Sequence, residues 1–268
     1  MNKLLISKHL TIWITLFILT LLWSCAPKTK KIELPEQPLL DLTKISQEFH
    51  KREQMFQSGI IKGNGWIFLP DHKKHKIRFI LQWSFEDKEP AIRVVGFGPF
   101  GITLFEFLAL NDGVYLMIPH KNITYYGEPE AFAGQRAANM AARQFAQVVN
   151  PWFQVNNIEI VNNPKPFIKA NYAVDETLWP IIFEPTSLLP KTLKGPDIEA
   201  NYGPEPVIMQ NKPIMYPKNL DIHLTKMGIS SKITIKNIRE FPQELKDKAF
   251  DKARFLQFKL RPWQELFS

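Results

Sequence analysis

The only cysteine in the 268-residue chain, Cys25, follows Leu22-Trp23-Ser24 at the end of an uncharged run from Leu10 to Trp23. A thiol placed there, behind a charged start and an apolar run, could take a lipid, and with no second cysteine in the chain no internal disulfide can form. Other chemistry-bearing groups are few. The histidines are His9, His50, His72, His75, His120 and His223. His72 and His75 fall in one turn, but apart from Asp71 no Cys, Asp or Glu follows at ligand spacing, so no metal is expected. Glu106 sits inside an apolar strand pattern, where a strand-edge or paired carboxylate is expected ahead of a catalytic one. Neither a Gly-x-Ser-x-Gly elbow nor a Walker-type phosphate loop occurs. The sequence nominates no catalytic residue and no cofactor, and the expectation is that the protein is not an enzyme.

Residues 1–9 carry Lys3 and Lys8 and no acid. The apolar run behind them is shorter than the ~20 residues that cross a bilayer, so residues 1–24 read as a secretory signal. With Cys25 after it, the pattern resembles a bacterial lipoprotein signal, Leu22 and Ser24 standing in the expected places and Trp23 being bulkier than usual. The resemblance implies a mature protein that begins at Cys25 and is acylated there, palmitate included. Ala26 resembles an outer-membrane sorting signal. Residues 25–41 are polar and contain Pro27, Pro35 and Pro38, an extended tether of some tens of ångströms at roughly 3 Å per residue. Loss of Lys3 and Lys8 lowers the formal charge from +8 to +6. The cluster His72-Lys73-Lys74-His75-Lys76 has no interleaved aromatics and is expected to be a solvated hairpin end or a weak attractor of anionic head groups, not a nucleic-acid site.

The elements that position these groups begin with a helix over Asp41–Phe56, where Leu42, Ile45, Phe49 and Phe56 recur at helical spacing and Gly59 is placed to end it. The period then changes to two. Ile77, Phe79, Leu81, Trp83 and Phe85 alternate with polar residues, as in a half-buried strand. Further strands are expected at Ile60–Leu69, Ala91–Phe97, Ile102–Leu110, Val114–Ile118 and Ile123–Tyr126, joined by short turns into an antiparallel meander. A second helix is expected over Ala131–Val149. Residues 151–215 are proline-rich and read as an elaboration of edge strands and irregular loops. Leu220, Ile222 and Leu224, then Met227-Gly228, then Ile233 and Ile235 form a hairpin. Residues 42–268 are thus expected to make one domain.

Strands Ile102–Leu110 and Val114–Ile118 are apolar on nearly both faces. Two apolar faces need two covers, which leaves open a packed core or a lipid-sized cavity. Gly98-Pro99-Phe100-Gly101 is a turn with Pro99 at its first corner and an apolar residue at its tip. Phe100 either folds back on the sheet or meets a membrane or partner.

The stretch Ala91 to Phe107, with Arg93 and aliphatics, then Pro99-Phe100-Gly101, then Thr103-Leu104 and Glu106, resembles the third and fourth strands of the LolB family of outer-membrane lipoprotein receptors. The strand with Trp83, the helix leading into Gly63-x-Gly65 and the hairpin from Tyr216 to Ile238 are similar to the wider LolA/LolB superfamily. This resemblance implies an α+β fold, an unclosed antiparallel β half-barrel with helices on its concave face around a hydrophobic cavity. It implies a cofactor-free, monomeric chaperone that receives acylated lipoproteins from a periplasmic LolA-like carrier and inserts them into the outer membrane. Phe100, between Pro99 and Gly101, takes the place of the family's membrane-inserting leucine. Trp66, Phe79, Trp83, Phe105, Phe107 and Tyr115 are candidates for the cavity lining, the inward face being undetermined. The alternatives are a lipid-binding or sensing envelope lipoprotein of the same fold, and a structural partner of an envelope assembly.

Overall fold

The computed structural model describes residues 41–85, 90–127, 146–162, 165–174, 177–225 and 228–266. Cys25, the signal segment 1–24, the tether up to residue 40 and most of the helix expected at 131–149 lie outside the described residues. Among those described, no helix is long and apolar enough to cross a membrane.

Helix α1 spans Leu42–Met55. The Asp41 carboxylate caps it, accepting from the backbone N–H groups of Thr43 at 2.9 Å and Lys44 at 3.3 Å. Ile45, Phe49 and Arg52 lie on its buried face, the stripe that the sequence spacing gives. The helix ends at Phe56, whose N–H reaches the carbonyls of Arg52 and Glu53. Gly59 does not terminate it; it already belongs to the first strand.

Strands β1 (Ser58–Phe68), β2 (Lys74–Ser84), β3 (Ala91–Phe97), β4 (Thr103–Leu110), β5 (Gly113–Ile118) and β6 (Ile123–Gly127) form the expected antiparallel meander. The sheet continues through β7 (Val155–Asn162), β8 (Pro166–Val174), β9 (Thr177–Phe183), β10 (Pro190–Lys194), β11 (Ile198–Tyr202), β14 (Asn219–Leu224) and β15 (Ile229–Arg239). Strand β16 (Lys259–Pro262) pairs parallel to β6. The order is β16-β6-β5-β4-β3-β2-β1-β15-β14-β11-β10-β9-β8-β7, one large, mostly antiparallel, unclosed sheet. Strands β12 (Pro206–Ile208) and β13 (Met215–Pro217) pair separately.

The proline-rich segment, expected as edge strands and irregular loops, extends the main sheet over much of its length through β7 to β11. Its prolines escape the ladder penalty by position. Pro166, Pro190 and Pro206 open their strands, Pro217 closes one, and Pro180, inside β9 opposite Asn171 of β8, falls one residue outside the pairing with β10 on its other side. The described residues are mostly strand, with α1 as the one long helix among them.

One face of the sheet carries the main core. Phe49 meets Phe183 of β9 at 4.5 Å between ring centroids, and Phe56 meets Trp83 of β2 at 4.7 Å. The Phe56 carbonyl accepts from the indole N–H of Trp83 and from the Asn150 side chain, and the Asn150 carbonyl accepts from the Tyr172 hydroxyl of β8. Strands β2 and β8 are seven ladder steps apart, about 33 Å on a flat sheet at roughly 4.8 Å per step. A relay of three hydrogen bonds through Phe56 and Asn150 connects them, so the sheet bends strongly between.

Candidate functional site

The β3–β4 turn places the apolar tip. Gly98 N–H donates to the Ile102 carbonyl at 2.9 Å, and Ile102 N–H donates to the Pro99 carbonyl at 3.3 Å. Pro99 sets the first corner, which leaves Phe100 at φ 58° and Gly101 at φ 79°. The left-handed region costs a residue with a Cβ about 1–2 kcal/mol, whereas glycine adopts it freely. Gly101 relieves one half of the turn and Phe100 carries the strain. The Phe100 side chain is 98% exposed and Ile102 61%. Of the two placements open from sequence, folding back onto the sheet is not the one adopted.

The six aromatic candidates for a cavity lining divide between faces. Register pairs Trp83 with Ile92, Ile92 with Ala109 and Ala109 with Val114, all buried in the main core. Phe79 lies over Gly63, where a Cβ would stand 2.6 Å from its ring, and Phe105 lies in the same way over Gly96, at 2.3 Å. Phe105 and Phe107 pack partly buried against the same core. Phe79, Trp83, Phe105 and Phe107 therefore share one face. Next to Trp83 on that face, Phe56, Trp152 and Tyr216 pack together, with ring centroids 4.7–6.2 Å apart.

Tyr115 lies on the opposite face, stacked on Tyr126 at 5.1 Å and packed with Leu108, Met117 and Phe255. Trp66 is one position out of phase with Ile61 and Ile67, which pack on the main core, and is 39% exposed. Its ring is flanked by the ammonium groups of Lys74 at 5.5 Å and Lys76 at 5.9 Å. Trp66 and Tyr115 are thus not brought together with the other four.

Glu106 is 1% exposed. It accepts from Arg93 at 2.6 Å and Arg254 at 2.8 Å, and Arg93 also donates to Gln82 at 2.8 Å. It sits on an interior strand as a paired carboxylate, on the side of Tyr115 and Phe255. Arg93 and Glu106 were visible in sequence as polar residues at alternate positions of apolar strands. Arg254, 148 residues away, gave no signal.

On the α1 side, Arg52 donates to the Leu188 carbonyl at 3.0 Å and to Glu48 at 3.0 Å, and stands 5.4 Å over the Trp152 ring. Burial lowers its pKa, opposed by the Glu48 hydrogen bond and charge. Beside it, the hydroxyls of Tyr202 and Tyr216 both donate to the Val148 carbonyl at 3.2 Å. Burial raises the pKa of Tyr172, Tyr202 and Tyr216.

No protein-family model matches the sequence, and no curated protein matches it. Solved structures do match in shape. A candidate outer membrane lipoprotein-sorting protein domain from Vibrio parahaemolyticus aligns with TM-score 0.54 at 11% identity, over 79% of this chain and 97% of that one. A DUF1329 family protein from Desulfovibrio piger aligns with TM-score 0.53 at 11% identity, over 80% of this chain and 98% of that one. At such identity the likeness is one of fold: the large unclosed sheet with few helices is common to them.

Proposed function

We propose that this chain is an envelope lipoprotein, acylated at Cys25 and facing the periplasm from the outer membrane, that binds the acyl chains of other lipoproteins and inserts them into that membrane. The observation that carries the reading is Phe100, a strained aromatic tip in almost full contact with water. Burying a phenylalanine in an apolar medium is worth about 1.5–3 kcal/mol, so the tip favours contact with lipid as soon as a bilayer is within reach of the tether. The acyl chains of an incoming lipoprotein, delivered by a LolA-like carrier, occupy the concave side lined by Phe79, Trp83, Phe105 and Phe107. Helix α1 covers that side. Its ties are Phe49 on Phe183 and Arg52 on the Leu188 carbonyl, and admission of an acyl chain next to Trp83 requires it to give way, because Phe56, Trp152 and Tyr216 pack closely there. Transfer follows apolar contact downhill, from carrier to the space under α1 to bilayer, with no cofactor or nucleotide.

The filled packing around Phe56, Trp152 and Tyr216 favours one second reading, a structural partner of an envelope assembly that holds no cargo. Depletion of the protein followed by membrane fractionation separates the two. The transfer reading expects outer-membrane lipoproteins to accumulate elsewhere, and unchanged localisation would refute it.

A further inference from the structure

The geometry points to a second membrane contact beside the Phe100 tip: the outward face of the β1–β2 hairpin, formed by Trp66, Lys74, Lys76 and Arg78, docks on a bilayer surface carrying anionic phosphate head groups. This rests on the reading of Phe100 as a membrane tip and adds the lipid chemistry that the folded part recognises.

The hairpin and the tip stand at the same end of the sheet. Pairing of β2 with β3 stops at Arg78 opposite Phe97, so Lys74 to Ile77 run past the last rung of β3, alongside the 98–102 turn. Arg78 is the nearest group to Gly101, its guanidinium 3.7 Å from where a Cβ on that glycine would be. Register places Trp66 opposite Lys76, Asn64 opposite Arg78 and Phe68 opposite Lys74. The three cations are exposed, and among the described residues no carboxylate pairs with any of them. The nearby Asp71 is already engaged by Lys73 at 2.6 Å, an attachment that lowers the Asp71 pKa and raises that of Lys73.

Trp66 sits between Lys74 and Lys76 with its indole partly in water. An indole with an apolar body and a polar N–H settles at the head-group level of a bilayer, and lysines beside it attract anionic lipid. Phe100 and Ile102 enter deeper. Together they orient the sheet with this end toward the membrane, so that what leaves the sheet at the tip meets lipid.

The test uses the full-length lipidated protein reconstituted into vesicles of phosphatidylcholine, with or without phosphatidylglycerol. Contact is read by quenching of tryptophan emission by brominated lipid, with Trp66→Phe defining the Trp66 share. Contact is expected in phosphatidylglycerol vesicles at low salt, with loss at high salt and in pure phosphatidylcholine. The variant K74Q/K76Q/R78Q, with its melting temperature measured alongside, is expected to weaken contact about fivefold per charge, on the order of a hundredfold for three. Quenching of Trp66 indifferent to both salt and phosphatidylglycerol would overturn the inference, whether or not the triple variant folds. The failures are distinguishable. If Phe100→Glu abolishes lipoprotein insertion while the lysine variant keeps its quenching, the inference falls and the tip reading stands. If the lysine variant loses contact while Phe100→Glu inserts normally, the head-group contact stands and the tip reading falls.

Discussion

The indole N–H of Trp83 donates to the carbonyl of Phe56 at 2.9 Å while the two rings lie 4.7 Å apart. One residue pair therefore ties the last turn of α1 to strand β2 by a directed bond and by buried aromatic area. Gly59 makes this possible, since a Cβ there would come within 2.3 Å of the Trp83 ring.

Trp83→Ala is expected to destabilise the protein by about 3–5 kcal/mol, because it empties a fully buried site and leaves the Phe56 carbonyl with the longer Asn150 bond. Gly59→Ala is expected to cost 1–3 kcal/mol through overpacking on the same ring. Urea unfolding of each variant checks both, and a loss below about 1 kcal/mol for Trp83→Ala would show that α1 is not anchored there.

Glu106→Ala leaves Arg93 with Gln82 but without a carboxylate in a site that is nearly closed to water. A loss of about 3–5 kcal/mol is expected. Arg254→Ala removes a cation that is 40% exposed and is expected to cost only about 0.2–1 kcal/mol. Equal losses in chemical denaturation would contradict this division of the network.

Helix α1, strand β2 and the β14–β15 hairpin are legible in sequence from their periods of 3.6 and 2, and the rest of the β1–β6 meander from short apolar runs separated by turn residues. The strands between residues 155 and 202 are not, because prolines mark the stretch as edge strands and loops, and only tertiary placement, at strand ends for Pro166 and Pro190 and beyond the β9–β10 pairing for Pro180, lets them join the main sheet. Faces were harder still. Strands β4 and β5 are apolar on both sides, so nothing in the alternation told Tyr115 from Phe105. Trp66, a candidate for the lining, is one step out of phase with Ile61 and Ile67 and pairs with Lys76 on the other face. The exposure of Phe100 could be posed as a question but not answered, since a turn tip has no period.

Tyr172, Tyr202 and Tyr216 are buried, and burial raises their pKa values above the unfolded value near 10. Above pH 10 the unfolded chain loses these protons and the native state keeps them, so the native state binds more protons and stability falls as pH rises. The stability is fully present below pH 10. Unfolding free energy measured from pH 8 to 11 is expected to drop more steeply above 10 in the wild type than in Y172F/Y216F, and equal slopes would contradict it.

Phe100→Gly relieves the left-handed strain but gives up chain stiffness, so stability is expected to change by between nothing and a gain of about 1 kcal/mol. Phe100→Glu is expected to leave the melting temperature nearly unchanged. Both are expected to lose incorporation of a test lipoprotein into outer-membrane vesicles. Retained incorporation in both would remove the tip from the mechanism.

The central claim, that another protein's acyl chains lodge on the inward face of the sheet, is tested most directly by a photoreactive side chain at Phe107 in the full-length protein, challenged with a lipoprotein carrying labelled acyl chains. A saturable adduct on the acyl chain, competed by unlabelled lipoprotein and absent when the probe is at Tyr115, is the expected result. No adduct at Phe107 under conditions where lipoprotein is incorporated, or equal adducts at both positions, would contradict it.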